Sequence, residues 1–108
     1  MKKLILVLVL VCLTATFALA DSFFIRNSTQ STFLYIFVSD SRLSSWGDDL
    51  LGNQVLSPGE SLQIETAIPI NNTSWDIRIV DDDGDTYTLF SRRINNEATI
   101  SISYSDLD

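Results

Sequence analysis

The stretch WDIRIVDDDGDTYTLFS, residues 75–91, decides the fold. Residues 75–80 alternate between apolar and polar side chains, which is the pattern of a strand with one buried face. Residues 86–91 resume a strand pattern after four acids and one glycine. Within the acidic run, Asp83-Gly84 suits a two-residue type I′ turn. The stretch therefore predicts a β-hairpin with an acidic tip, and with Trp75, Ile77 and Ile79 on its inner face.

Short segments on both sides of this hairpin carry strand patterns as well. The further predicted strands are residues 22–27, 32–39, 55–56, 61–66 and 98–104. Between two of them, Ser57-Pro58-Gly59-Glu60 has the residues of a type II turn. In the last strand, Ala98, Ile100, Ile102 and Tyr104 are expected to point inward. About seven short strands, with turn signals every 8–12 residues or so, predict an antiparallel β-sandwich, Ig-like or C2-like, with a small barrel as the alternative.

The first twenty residues have the organisation of a secretory signal peptide. Lys2 and Lys3 are followed by an unbroken apolar run from Leu4 to Leu13, and Ala18-Leu19-Ala20 supplies small residues at a cleavage site. The apolar run is shorter than the roughly 20 residues of a membrane span. We therefore expect residues 1–20 to be removed, residues 21–108 to form a single domain without a membrane anchor, and the protein to be exported by a bacterium, to the periplasm or the medium.

Composition excludes several functions for the mature chain. The 108 residues include 14 acids, seven bases and no histidine, with a net charge of −7. Loss of residues 1–20 removes the only cysteine and both lysines, which leaves five arginines against 14 acids, a net charge of −9. Nucleic acid is an unsuitable partner, because its phosphates are bound by clustered lysine and arginine side chains. Without histidine, cysteine or lysine, catalysis would depend on carboxylates alone, and we predict that the protein is not an enzyme.

The acidic turn DDDGD, residues 81–85, is the first candidate site. Clustered carboxylates at a loop tip can supply oxygen ligands for Ca²⁺. The spacing does not match an EF-hand, so a calcium site would use Asp81, Asp83 and Asp85 with Asp48 or Asp49 from another loop. The alternative is a solvated hairpin tip that holds no ion. No other cofactor is expected.

The second candidate is the segment from Ser41 to Gly52, which is long for a loop in so small a domain. Trp46, beside acidic residues, could bind a sugar or a cationic peptide. Alternatively, Trp46, Leu50 and Leu51 close one end of the sandwich while Asp48 caps a short turn, which avoids a large exposed apolar patch.

The third candidate is the strand FLYIFV, residues 33–38, because it is apolar on both faces. Either Leu34, Ile36 and Val38 line the core and Phe33, Tyr35 and Phe37 face outward, or the two faces are reversed. That second face is either covered by the long loop or contacts a partner. Trp46 and the three outward aromatic residues are thus candidate interaction residues.

Four segments in order, YIFVS (35–39), WGDDLLG (46–52), LSPGES (56–61) and WDIRIVDDDGDTYT (75–88), resemble a group of small exported bacterial proteins without an assigned function. The resemblance covers nearly all of the mature chain and implies an exported all-β module. Phe37 departs from the pattern, which usually has a smaller residue or a tyrosine there.

These observations favour an exported, non-enzymatic binding or structural module with a protein partner at the cell envelope. A calcium-binding module that uses the hairpin at residues 81–85 is the alternative. A small inhibitor of secreted enzymes is a further alternative, because small all-β scaffolds present loops well. The sequence leaves the oligomeric state open.

Overall fold

The computed structural model describes residues 21–108, so the predicted signal peptide lies outside the described residues. The described part is all-β, as the sequence predicts. Its six strands are β1 (Asp21–Asn27), β2 (Phe33–Asp40), β3 (Ser61–Thr66), β4 (Ser74–Asp81), β5 (Thr86–Arg93) and β6 (Thr99–Ile102), followed by a 3₁₀ turn at Tyr104–Asp106. The seventh predicted strand, residues 55–56, is only an isolated bridge between Leu56 and Phe33. Residues 21–108 contain no helix that is long and apolar enough to cross a membrane.

The strands form two three-stranded sheets, in the orders β3-β1-β6 and β2-β4-β5. The second sheet is antiparallel throughout, and β1 pairs antiparallel with β3. The pairing of β1 with β6 is parallel, so the expectation of a purely antiparallel fold was wrong for this pair. Parallel neighbours need a long connection, and here nearly the whole domain lies between the two strands.

One hydrophobic cluster takes side chains from both sheets. Its members include Phe23, Ile25, Ile64 and Ile102 from the first sheet and Ile36, Ile77, Ile79, Tyr87 and Leu89 from the second. The predicted inner face of β4 is confirmed, because Trp75, Ile77 and Ile79 belong to this cluster. The alternating apolar residues of β1 and β3 also belong to it or pack against it. Alternation places every second side chain of a strand on the same side, so each sheet has one apolar face.

A β-bulge in β2 changes the predicted faces of that strand. The register with β4 shifts between Phe33 and Tyr35, so Phe33 and Ile36 are both fully buried although three positions separate them. Phe33 packs on Tyr87 with a ring-centroid distance of 5.5 Å. The extra residue of a bulge reverses the facing of the strand beyond it. The prediction of Phe33 as an interaction residue was therefore wrong, whereas Tyr35 remains 47% exposed.

The C-terminus departs from the predicted last strand. β6 ends at Ile102, and Tyr104 is exposed rather than inward, with its hydroxyl 2.9 Å from Ser31 Oγ. The Ser103 N–H donates to Asp106 Oδ2, which fixes a 3₁₀ turn in place of extended chain. After this turn the chain runs beside β5, where Leu107 bridges to Tyr87 and the Asp108 N–H donates to Thr86 O.

A candidate binding cleft

The acidic hairpin is built around one buried carboxylate. Asp81 is 1% exposed, and its Oδ1 accepts hydrogen bonds from the N–H groups of Asp83 and Asp85, at 2.9 and 3.0 Å. Its Oδ2 accepts the Tyr87 hydroxyl at 2.8 Å. Burial, followed by this bond to a carboxylate, raises the pKa of the Tyr87 phenol far above its ordinary value. Asp81 thus organises the turn from inside.

The turn has a different geometry from the predicted two-residue type I′ turn. Gly84 has a φ of +83°, whereas Asp83 is not among the described residues with positive φ. Type I′ needs positive φ at both central residues. Instead, the Gly84 N–H bonds to Asp81 O and the Asp81 N–H to Asp85 O, which defines a three-residue loop with glycine in the left-handed position. The bonds accepted by the Asp81 side chain favour this longer loop.

The five candidate calcium ligands are only partly brought together. Asp81, Asp83 and Asp85 each offer a carboxylate oxygen within 4.8 Å of the others, and no further such group of acids occurs in residues 21–108. Asp48 and Asp49 do not join them. Both Asp81 carboxylate oxygens already accept hydrogen bonds. The carboxylate oxygens of Asp83 and Asp85 are therefore more available as ligands for a metal ion.

Asp49 instead fixes the long loop to β2. Its Oδ1 accepts the N–H groups of Ile36 and Leu51, its Oδ2 accepts that of Gly52, and the Leu50 N–H donates to Ile36 O at 2.8 Å. Leu51 is buried in the core. The predicted cap of a short turn is therefore Asp49 rather than Asp48, and the loop follows the free edge of β2 rather than covering the outer face.

At the end of β2 and β4 opposite the acidic hairpin, the loop borders an apolar cleft of about 480 Å³. The cleft is lined by the ends of β2 and β3, by the loop and by Trp75, with the apolar members Val38, Leu43, Trp46, Leu50, Ile64, Ile68 and Trp75. Both tryptophans of the protein lie here. Trp75 is buried and its Nε1 faces Ile70 O at 3.4 Å. A volume in this range suits a small ligand or a few apolar side chains.

Trp46 is partly buried and lies between this cleft and a smaller depression of about 210 Å³. Its ring is 6.4 Å from that of Phe90 across the depression. Phe90 is 65% exposed and Leu43, which lines both cavities, is 62% exposed. Phe90 is not among the residues predicted to bind a partner, although alternation with the buried Tyr87 and Leu89 assigns it to the outer face of β5.

The remaining predicted interaction residues lie elsewhere. Tyr35 and Phe37 stack on each other on the outer face of β2, with nearly parallel rings 6.4 Å apart. Phe33 is in the core, and Trp46 is at the cleft. The four aromatic residues therefore do not form one surface. Val38 and Trp75 were assigned to inner faces from their alternation, and their place beside Ile64 in the lining of a cleft depends on tertiary pairing.

Acidic residues surround the cleft. Asp40, Asp48 and Glu65 are among its lining residues. Asp40 is paired with the exposed Arg42, whose guanidinium donates to both carboxylate oxygens. These hydrogen bonds, together with one from the Arg42 backbone, hold the pKa of the Asp40 carboxyl below its ordinary value. The cleft thus combines an apolar floor with carboxylates at its rim.

No known family model, curated protein or solved structure matches the chain.

Proposed function

We propose that the protein is an exported, non-enzymatic binding module with the fold of a β-sandwich, and that it binds its ligand in the cleft beside Trp46. The apolar cleft of about 480 Å³ is the observation that carries the proposal. Small-molecule and peptide sites are concave and mostly apolar, with few polar groups. Two three-stranded sheets that share one core are consistent with a sandwich.

The chemistry of the cleft favours binding over catalysis. A general acid needs a carboxyl group whose pKa is raised toward the working pH. Arg42 instead lowers the pKa of Asp40. The other two rim acids, Asp48 and Glu65, are exposed to water. Because residues 21–108 contain no histidine, cysteine or lysine, the cleft has neither an imidazole or amine base nor a thiol nucleophile.

Titration with Nile red tests the proposed site. This dye is apolar and uncharged, so the net charge of the protein does not repel it. We expect saturable binding with a rise in dye fluorescence and a change in tryptophan emission, because both tryptophans border the cleft. Trp46→Ala should weaken binding about tenfold, since aromatic anchors dominate such sites.

Tyr35→Ala is the matched control, because it removes a half-exposed aromatic ring from the outer face of β2. It should leave dye binding unchanged. Equal losses in the two variants, with circular dichroism spectra that match the parent, would contradict a site at Trp46.

Calcium binding at the acidic hairpin is the second candidate function. It is supported by the approach of three carboxylate oxygens to within 4.8 Å. Millimolar Ca²⁺ should then raise the melting temperature by several degrees, since a ligand of the folded state stabilises it. Asp83→Asn should abolish the rise and Asp48→Asn should retain it. A melting temperature that is the same in Ca²⁺ and in chelator removes this candidate.

A further inference from the structure

The free edge of β3 borders the same cleft. β3 pairs only with β1, in the register Phe23↔Ile64 and Ile25↔Leu62. On β1, the Phe24 N–H donates to Ala98 O on the β6 side, so the backbone groups of Phe23 and Ile25 face β3. Alternation then directs the N–H and C=O groups of Ser61, Gln63 and Glu65 away from the sheet.

The other two long edges are paired over part of their length. Along β2, the backbone groups of Phe33 bond to Leu56, and those of Ile36 bond to Leu50 and Asp49. Along β5, the C-terminal residues Leu107 and Asp108 pair with its first two residues. β6 has only four residues. In the described part of the chain, Ser61, Gln63 and Glu65 have no backbone hydrogen bond on this outer side apart from any they make to water.

β3 also lacks the usual protection of an edge. Edge strands are commonly blocked by a lysine, a proline or a bulge. Residues 61–66 contain neither lysine nor proline, and the pairing with β1 is continuous. The only charged side chain in this strand is Glu65, which belongs to the acidic rim of the cleft. The edge is therefore open to a further strand.

From this arrangement we propose that the occupant of the cleft is an extended basic peptide segment, which adds a strand to the free edge of β3 and inserts an apolar side chain between Trp46 and Trp75. The proposal rests on the proposed function and adds the class of ligand. Backbone hydrogen bonds supply affinity in such strand addition, and pockets for side chains supply specificity.

Charge selects a basic peptide over a second copy of this chain. Asp48 and Glu65 lie at the rim without an ion pair to any described residue, whereas the nearby Arg42 is paired with Asp40. Residues 21–108 carry five arginines against 14 acids, so two copies would repel each other. Basic residues that flank an apolar centre would instead complement the rim.

A seven-residue peptide with two lysines on each side of a Val-Ile-Val centre is a suitable probe. Its binding to residues 21–108 can be followed by tryptophan emission and calorimetry. We expect it to bind more than about tenfold tighter than the same peptide with glutamate in place of lysine, and to weaken as salt is raised. Methylation of the alternate backbone nitrogens that face β3 should abolish binding.

Gln63→Pro tests the edge directly. Proline removes the outward N–H of this position without removing a bond to β1, and proline is tolerated where the N–H faces solvent. Gln63→Ala is the matched control, because both variants lose the side-chain bond to Ser22 Oγ and only one loses the N–H. We expect about tenfold weaker peptide binding for Gln63→Pro and parent-like binding for Gln63→Ala.

Nile red separates this inference from the proposed function. If the dye binds while the basic peptide does not, or if Gln63→Pro binds the peptide as well as Gln63→Ala does, strand addition is overturned and the binding cleft stands. If neither dye nor peptide binds, both proposals fail. If the parent chain forms a dimer that dissociates in Gln63→Pro, the occupant of the β3 edge is a second copy of this chain, and the proposal of a basic peptide is overturned.

Discussion

The two ends of the strands differ in which groups they bury: one end buries hydrogen-bonded polar side chains, and the other leaves apolar side chains exposed. At the polar end, which we define by Asn27, Thr29, Ser31, Asp81 and Tyr87, all five residues are buried and hydrogen-bonded. No buried side-chain nitrogen or oxygen lacks a partner anywhere in residues 21–108. At the cleft end, apolar side chains such as Leu43 and Phe90 remain largely exposed. Because unsatisfied buried polar groups are costly and exposed apolar patches favour association, the first end stabilises the fold and the second is available for binding.

Asn27 shows how completely the polar end is paired. Its Nδ2 donates to Ser31 O and Leu56 O, at 2.7 and 2.9 Å, and its Oδ1 accepts from both the N–H and the hydroxyl of Thr29. An amide side chain has two donor hydrogens and two acceptor lone pairs, so all four are used. The side chain links the end of β1 to the turn that follows it and to residue 56.

Among substitutions at the polar end, Asn27→Ala should have the largest effect. The substitution removes four buried hydrogen bonds and leaves the Thr29 N–H without a partner, whereas Ser31 O and Leu56 O each keep one other donor. We therefore expect a loss of about 3 kcal/mol in the free energy of unfolding. Urea denaturation measures it. Asn72→Ala, at an exposed position, should change the stability by less than about 0.5 kcal/mol. A loss for Asn27→Ala as small as that of the control would show that the polar end is not what stabilises the domain.

Tyr87→Phe should give the next largest effect. It removes the hydroxyl that donates to Asp81 Oδ2, and we expect a loss of about 1.5 kcal/mol at neutral pH. The pKa of Tyr87 is raised in the folded state above its ordinary value of 10.0. The stabilisation is therefore complete below pH 10 and is lost above it, because the unfolded chain releases the phenolic proton before the folded chain does.

The pH dependence provides the check on this explanation. The stability difference between the parent and Tyr87→Phe should narrow progressively as the pH rises above about 10, as measured by urea denaturation at each pH. Residues 21–108 contain no lysine or cysteine that would titrate in the same range. Tyr35→Phe, at an exposed position on the outer face, is the control and should run parallel to the parent. A constant difference for Tyr87→Phe would contradict the raised pKa.

Local sequence patterns predicted the strands better than they predicted the side-chain arrangements at the polar end and at the cleft. Strands β1, β3 and β4 follow from alternation, because each has one face toward the core. The bulge in β2 does not follow from alternation, because it depends on the partner strand. The buried hydrogen bonds of Asn27 do not follow from local patterns either, because its partner Leu56 lies 29 positions away. Trp46 was selected as a binding residue, but Trp75 was not, since only the tertiary fold brings the two to one cleft.

Gly84→Ala should have a smaller effect at the polar end. The added Cβ would meet no atom within 4 Å, so its cost comes from the backbone alone, at a φ of +83°. A left-handed conformation costs an ordinary residue roughly 1 kcal/mol relative to glycine. Thermal denaturation should show this loss, and Gly84→Asn should lose less because asparagine tolerates this conformation. Equal stabilities of parent and Gly84→Ala would argue against the three-residue loop.

Trp46→Ala should have the smallest effect on stability, although it removes the largest side chain of these four substitutions. Trp46 is only partly buried, and its ring lies 6.4 Å from that of the exposed Phe90 across an open depression, so its removal leaves no enclosed cavity. We expect a loss below about 1 kcal/mol, against the 3–5 kcal/mol or so that a tryptophan in a core would cost. Leu51→Ala in the same loop is the informative comparison, because that side chain lies in the core and should cost about 3 kcal/mol. If Trp46→Ala proved as destabilising as Leu51→Ala, Trp46 would be a structural plug of the domain, and the cleft end would stabilise the fold just as the polar end does.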